Sequence, residues 1–137
     1  MSFFGKLTTR ERYGVRLGLQ LARTYKTKAQ VSLAEISDKE KISMKYLEQL
    51  ILPFKKAKWV ESIRGRDGGY IMKKDPKNIT LKDMMTVIDG ELEIVHCLKK
   101  GNKCSLHKSC CARQGWAKVQ KAIFEGLESV KISDLIK

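Results

Sequence analysis

Three times along the chain a hydroxyl residue is followed three positions later by an acidic one, just ahead of an apolar run: Thr8-Thr-Arg-Glu11, Ser32-Leu-Ala-Glu35 and Thr80-Leu-Lys-Asp83. Each is a capping box, in which the hydroxyl accepts from one orphan amide of a new helix and the carboxylate reaches back to the cap residue's own amide. A chain that starts helices this often has to fold as several short helices packed on one another. After the first box, Tyr13, Leu17 and Leu21 recur at spacing four, Gly14 and Gly18 leave room for a neighbour, and the helix should end near Thr24. The second box opens a short helix to about Lys39. Ser43 then caps a third, whose buried side would be Leu47, Leu50, Ile51 and Phe54. With Glu40-Lys41-Ile42 as the turn, the second and third helices make a helix-turn-helix. Pro53 lacks an amide, so the third helix is expected to kink or restart there.

Past Trp59 the period changes from that of a helix to that of strands. Val60-Glu-Ser-Ile-Arg64 and Gly69-Tyr-Ile-Met72 read as two short strands, and Gly65-Arg66-Asp67-Gly68 has the turn chemistry to join them as a hairpin. Behind a helix-turn-helix such a hairpin is a wing. Its cations, Arg64 and Arg66, suit a narrow minor groove, where the negative potential is deepest. The third capping box starts another helix through Leu81, Met84, Met85 and Ile88, which Asp89-Gly90 ends. A last helix, from about Ala112 to Ser129, carries Trp116, Val119, Ile123, Leu127 and Val130 at a spacing of three, four, four and three. A domain this small has little left to cover that seam, so pairing with a second copy is expected, with packing onto the first helix as the rival.

The fold class expected is therefore mainly α with a small β-hairpin: a winged helix-turn-helix plus a long C-terminal dimerisation helix. Residues 1–78 would form the DNA-binding domain, 79–111 a connecting helix and cysteine loop, and 112–137 the dimerisation helix and tail, all in one compact unit. A length of 137 residues with 42% hydrophobic content fills a modest core. The longest apolar stretch, near Leu50, is far too short to span a bilayer, which makes a soluble, cytoplasmic protein the expectation. Of the net charge of +13, +9 falls within residues 1–75. The half with the helix-turn-helix is thus the half that would face a polyanion.

All four cysteines lie between positions 97 and 111, in Cys97-Leu-Lys-Lys-Gly-Asn-Lys-Cys104-Ser-Leu-His-Lys-Ser-Cys110-Cys111. In a reducing compartment they are better read as thiolate ligands than as disulfides. A Lys- and Gly-rich loop bends easily, and its cations offset thiolate charge, so a soft metal or an iron-sulfur cluster fits the composition. Zinc is an alternative, although the short C-x-x-C knuckles of zinc ribbons are missing. A thiol switch with no cofactor is another. An enzyme using Cys110 or Cys111 with His107 as nucleophile and base would need an orienting group and a pocket that nothing in the sequence announces, so the chain reads as a non-enzyme.

Three strings, Thr8-Thr-Arg-Glu-Arg-Tyr-Gly-Val-Arg16, Ser43-Met-Lys-Tyr-Leu-Glu-Gln-Leu50 and Ile63-Arg-Gly-Arg-Asp-Gly-Gly-Tyr70, are followed by spaced cysteines and a Trp-containing helix. In that order they resemble the bacterial winged-helix transcription regulator family that includes IscR and NsrR. The resemblance covers nearly the whole chain. It implies a homodimer on a pseudo-palindromic promoter site, with the third helix in the major groove, the wing in the minor groove, and an iron-sulfur cluster, two-iron or four-iron, controlling DNA affinity. Nitric oxide, oxygen, iron supply or cluster supply could each be the signal.

Carried onto this chain, the resemblance puts Ser43, Lys45, Tyr46, Glu48 and Gln49 on the DNA-facing surface of the third helix and Arg64 at the wing, with Thr8, Lys55 and Arg66 completing the contact set. The chemistry suits those positions: Gln49 can pair with an adenine edge, Glu48 can accept from a cytosine amino group, and Ser43 and Lys45 can hold phosphates. For Glu48 the rival is a salt bridge to a neighbouring cation, and for Lys55 a solvated face. Cys97, Cys104 and Cys110 match the family's ligands, with one residue more than usual between the first two. The family's histidine position holds Arg113. The fourth ligand is therefore open among Cys111, His107 and Glu11 of the partner subunit. Cys111 has a rival reading as a small hydrophobe packed under the last helix.

Overall fold

The structure, a computed structural model, describes residues 6–65, 68–99, 101 and 104–136. Among the described residues, six α-helices and one hairpin follow in the order α1 (Thr9–Arg23), α2 (Leu33–Glu40), α3 (Met44–Lys56), β1 (Val60–Ile63), β2 (Gly69–Met72), α4 (Leu81–Asp89), α5 (Cys111–Glu128) and α6 (Ile132–Leu135). Short 3-10 turns at Pro76–Asn78 and His96–Leu98 complete the set. The fold is mainly helical with a small antiparallel hairpin, as the sequence leads one to expect.

All three capping boxes form. Thr8, Ser32 and Thr80 accept from the amides of Glu11, Glu35 and Asp83, and each acidic side chain returns to its cap amide. Lys41 closes α2 in the left-handed conformation (φ 57°, ψ 43°), which turns the chain sharply into α3. Leu17 and Leu21 of α1, Ile36 of α2, and Leu47, Leu50 and Phe54 of α3 are fully enclosed, with Ile51 nearly so. Ile79, Met84 and Ile132 reach the same core from the C-terminal half. Gly14 and Gly18 face α4: a Cβ at Gly14 would lie 2.7 Å from Ile88 Cδ1, and one at Gly18 2.6 Å from Met84 Cε. The neighbour for which they leave room is thus α4.

Of the kink or restart expected at Pro53, the restart does not occur, and α3 is not divided there. The helix runs unbroken from Met44 to Lys56 with Pro53 inside it. The residue falls in the last turn, where one missing amide costs a single bond and the downstream helix still closes through the Ala57 amide to the Pro53 carbonyl at 3.0 Å. Phe54, fully buried just after it, supplies the packing that holds the turn in place.

The hairpin pairs Val60 with Met72 through Ile63 with Gly69. A third extended residue joins it. Val31, just ahead of α2, exchanges two backbone bonds with Tyr70, N to O 3.0 Å and O to N 2.8 Å. That approach requires glycine at 69, because a Cβ there would sit 2.5 Å from the Val31 carbonyl oxygen, a backbone atom that cannot step aside.

Beyond α4 the packing thins. Helix α5 runs for 18 residues without burying one of them. Its main neighbours are α4 and the His96–Leu98 turn. Its C-terminal end is pinned: the Leu81 amide donates to the Val130 carbonyl at 2.8 Å and the Ile132 amide to the Ile79 carbonyl at 2.9 Å, while Lys82 binds Glu128 at 3.0 Å.

Candidate nucleic-acid interface and cysteine segment

Helix α3 divides its residues cleanly. Leu47, Leu50, Ile51 and Phe54 go to the core, and Lys45, Glu48 and Gln49 stand exposed on the opposite face at the three- and four-residue spacing that makes helix neighbours. Ser43 is exposed at the N-cap, its Oγ accepting from the Tyr46 amide at 3.2 Å. Glu48 forms no ion pair among the described residues, so its carboxylate is free to accept. Tyr46 behaves differently. It is half-buried, its ring 6.0 Å from that of Tyr13 in an edge-on contact, and it ties α3 to α1.

The helix-turn-helix is held against α1 by a clamp that the sequence did not disclose. Arg16 Nε donates to Glu40 Oε2 at 2.8 Å and the same guanidinium bonds the Glu40 carbonyl, while Gln20 Nε2 donates to Glu40 Oε1 at 2.6 Å. Glu40 is the last residue of α2, so the clamp fixes the turn itself. Burial pushes the Glu40 carboxyl up, but the bonds from Gln20 and Arg16 and the charges of Arg16 and Arg23 outweigh it and hold the pKa below its ordinary value. Arg16 also lies 5.1 Å above the Tyr13 ring, which joins clamp and aromatic pair into one network.

Thr8 is half-buried and already engaged at the start of α1: its Oγ1 accepts from the Glu11 amide at 3.1 Å. Its hydroxyl proton remains free to donate. Lys55 is exposed with Nζ 6.0 Å from the Tyr70 ring, leaning toward the wing. Arg64 is exposed just past the end of β1, where the hairpin begins to turn, and Arg66 lies outside the described residues. Another non-local tie closes the far side: Arg10 Nε meets Asp89 Oδ1 at 3.1 Å and its guanidinium donates to the Ile88 carbonyl, fastening the start of α1 to the end of α4.

The cysteines are all free thiols. Cys97 sits half-buried in the His96–Leu98 turn, Cys104 is exposed, and Cys110 is half-buried at the N-cap of α5. Cys111, first residue of α5, is exposed and so is not packed under that helix. His107 is exposed, and His96 Nδ1 lies 3.7 Å from Glu93 Oε1. Glu11 is wholly enclosed in its own protomer, with Oε1 accepting from the Thr8 amide and Oε2 without a hydrogen-bond partner.

Thiolates are suitable donors for an iron-sulfur cluster. Their placement is not: among the described residues no three His, Cys, Asp or Glu side chains gather closely enough to hold a metal ion. In this conformation the described cysteines stand apart rather than as a gathered ligand set. No described helix is long and apolar enough to cross a membrane.

A profile of the Rrf2 family, described as "Iron-dependent Transcriptional regulator", matches residues 7–137. The HTH-type transcriptional regulator CymR of Bacillus subtilis is 32% identical over 130 residues, covering 95% of this chain and 88% of its own length. The solved structure of that protein, called the global cysteine regulator, superposes with a TM-score of 0.76 at 31% identity, over 96% of this chain and 95% of the other. IscR of T. potens gives a TM-score of 0.74 at 34% identity, over 96% and 85%. An oxidized form of Staphylococcus aureus CymR gives 0.73 at 26%, over 96% of each.

Proposed function

The chain belongs to the Rrf2 family of transcriptional regulators, and on that premise we propose that it is a homodimeric, DNA-binding regulator whose operator affinity is controlled at the cysteine segment, through an iron-sulfur cluster held by Cys97, Cys104 and Cys110. The observation that carries the DNA-binding part is the exposed polar face of α3. It presents Lys45, Glu48 and Gln49 from a helix whose opposite face is fully committed to the core, on a turn clamped by Arg16 and Glu40.

In this reading α3 lies in the major groove. Gln49 reads a base edge, Ser43 and Lys45 hold phosphates, Lys55 adds charge beside the wing, and Arg64 with Arg66 enters the minor groove. Replacing Gln49 by Ala should relax preference at one base position per half-site. Lys55→Ala should weaken all duplexes alike and reduce the steepness of the salt dependence. Binding isotherms at several salt concentrations separate the two, and identical behaviour of the variants removes Gln49 as a base reader.

Dimerisation is supported by the α5 stripe, where Trp116 and Val119 remain 40% and 38% exposed although they lie on the apolar side. Cluster binding is supported by the cysteine spacing and by the family's description as iron-dependent, and it requires the segment to close from the arrangement described. Anaerobic purification with iron and sulfide analysis tests it: Cys97→Ala, Cys104→Ala and Cys110→Ala should each lose most iron and sulfide, while Cys111→Ala keeps its colour. A colourless wild-type protein under those conditions rejects the cluster.

A second reading is favoured by a specific observation. Cys104 and Cys111 are exposed, free thiols, and a structural relative has been solved in an oxidized form. Reversible thiol oxidation without any cofactor would then set DNA affinity. Loss of operator response to peroxide in Cys104→Ala, in protein free of iron, would select it.

A further inference from the structure

Helix α3 carries more apolar surface than its core requires. Leu47, Leu50, Ile51 and Phe54 are already buried, yet Met44 stays 41% exposed. It is the first residue of the helix, set between exposed Ser43 and Lys45 and four positions ahead of Glu48. At that spacing Met44 and Glu48 stand in one row, a single turn or about 5.4 Å apart. Recognition helices bring their N-terminal residues to the base edges. In the major groove the one apolar group offered by any base is the C5 methyl of thymine. An unbranched thioether, soft and adaptable, fits such a contact.

We propose that Met44 is a specificity-determining residue that packs its side chain against the C5 methyl of a thymine in each half-site, within two base steps of the base read by Glu48. The inference rests on the DNA-reading role given to α3. The row geometry sets the distance: one helical turn falls between one and two steps of about 3.4 Å along a strand. Met44 is then selective where its neighbours are not, since Ser43 and Lys45 serve phosphates that are the same beside every base.

The test uses the full-length protein and the duplex it enriches most strongly from a randomised pool. Each thymine of that duplex is replaced singly by deoxyuridine, which removes only the methyl, and affinity is measured at fixed salt. One thymine per half-site should cost wild-type protein about fourfold, the worth of one buried methyl-sized group. In Met44→Ala that penalty should vanish, while Met44→Leu, still apolar, should retain it. Alanine favours the helix and the site is exposed, so both variants should fold, and sedimentation confirms an unchanged assembly. Equal affinity for every deoxyuridine duplex, or an undiminished penalty in Met44→Ala, overturns the proposal and leaves base reading by Gln49 untouched. A uniform loss on all sequences in Met44→Ala makes Met44 a backbone or protein contact and also overturns it. If the pool enriches no sequence at all, the DNA-reading role falls first and Met44 with it.

Discussion

The helix-turn-helix and the C-terminal helix are built on opposite principles. In residues 9–72 each helix has at least one side chain with no exposure, and elements far apart in sequence are joined by Arg16 to Glu40, Tyr13 to Tyr46 and Val31 to Tyr70. In α5 not one side chain is buried, and the segment leading into it holds cysteines that touch no common centre. Under the proposed function, the difference separates two jobs. A surface that reads a rigid duplex must be positioned before it binds, whereas an element that changes with a signal or completes itself on a partner has to leave interactions unmade.

The largest effect should come from attacking the first region where it is densest. Phe54→Ala would empty a fully enclosed ring site and should cost about 3–5 kcal/mol. Denaturant melts would show it as a large fall in midpoint. Ile123→Asp is the counterpart in α5, where the side chain is half-exposed in the protomer. It should leave the secondary structure in place and abolish the proposed dimer, since a carboxylate would be buried unpaired in its apolar seam. Circular dichroism with sedimentation reads both, and a clean dimer of Ile123→Asp would erase the contrast drawn between the two regions.

A smaller effect is expected at the Arg16–Glu40 clamp. Arg16→Ala should cost about 1–2 kcal/mol, as hydrogen bonds to a charged partner are lost. The acid response has a definite sign. The Glu40 carboxyl is held below its ordinary value of 4.5, so its stabilisation is fully present above that value and is lost as pH falls through the lower, folded-state pKa. Glu40→Gln should remove that acid-dependent portion. Melting temperature followed from pH 6 downward (~6 to ~2, spanning the reference carboxylates) should therefore fall less steeply in Glu40→Gln than in wild type, and parallel curves would deny the clamp its charge.

What could be read beforehand follows from what is local. Capping boxes act over three residues and core stripes over four, and α1, α2, α3 and α4 start where those signals place them. At Pro53 the sequence shows a missing amide but not the burial of Phe54 beside it, which is a fact of tertiary packing. Arg16 and Glu40 are 24 residues apart, and no spacing rule connects them. Met44 was passed over because its exposure is a fact of packing: an apolar residue at a helix start is as easily buried. For the cysteines, spacing names candidates without showing whether a loop brings them together.

The two bonds between Val31 and Tyr70 have a consequence for how an operator can vary. They graft the hairpin onto the residue that leads into α2, which ties the wing to the helix-turn-helix through the backbone itself. If the hairpin and α3 take the minor and major grooves as proposed, the phase between those contacts is set by the protein rather than chosen at binding. Inserting a single base pair between the two proposed contacts would rotate one against the other by about a tenth of a helical turn of DNA. A wing transplanted from a relative would keep this phase only if it arrived with a glycine at position 69, because any side chain there pries the hairpin from its anchor.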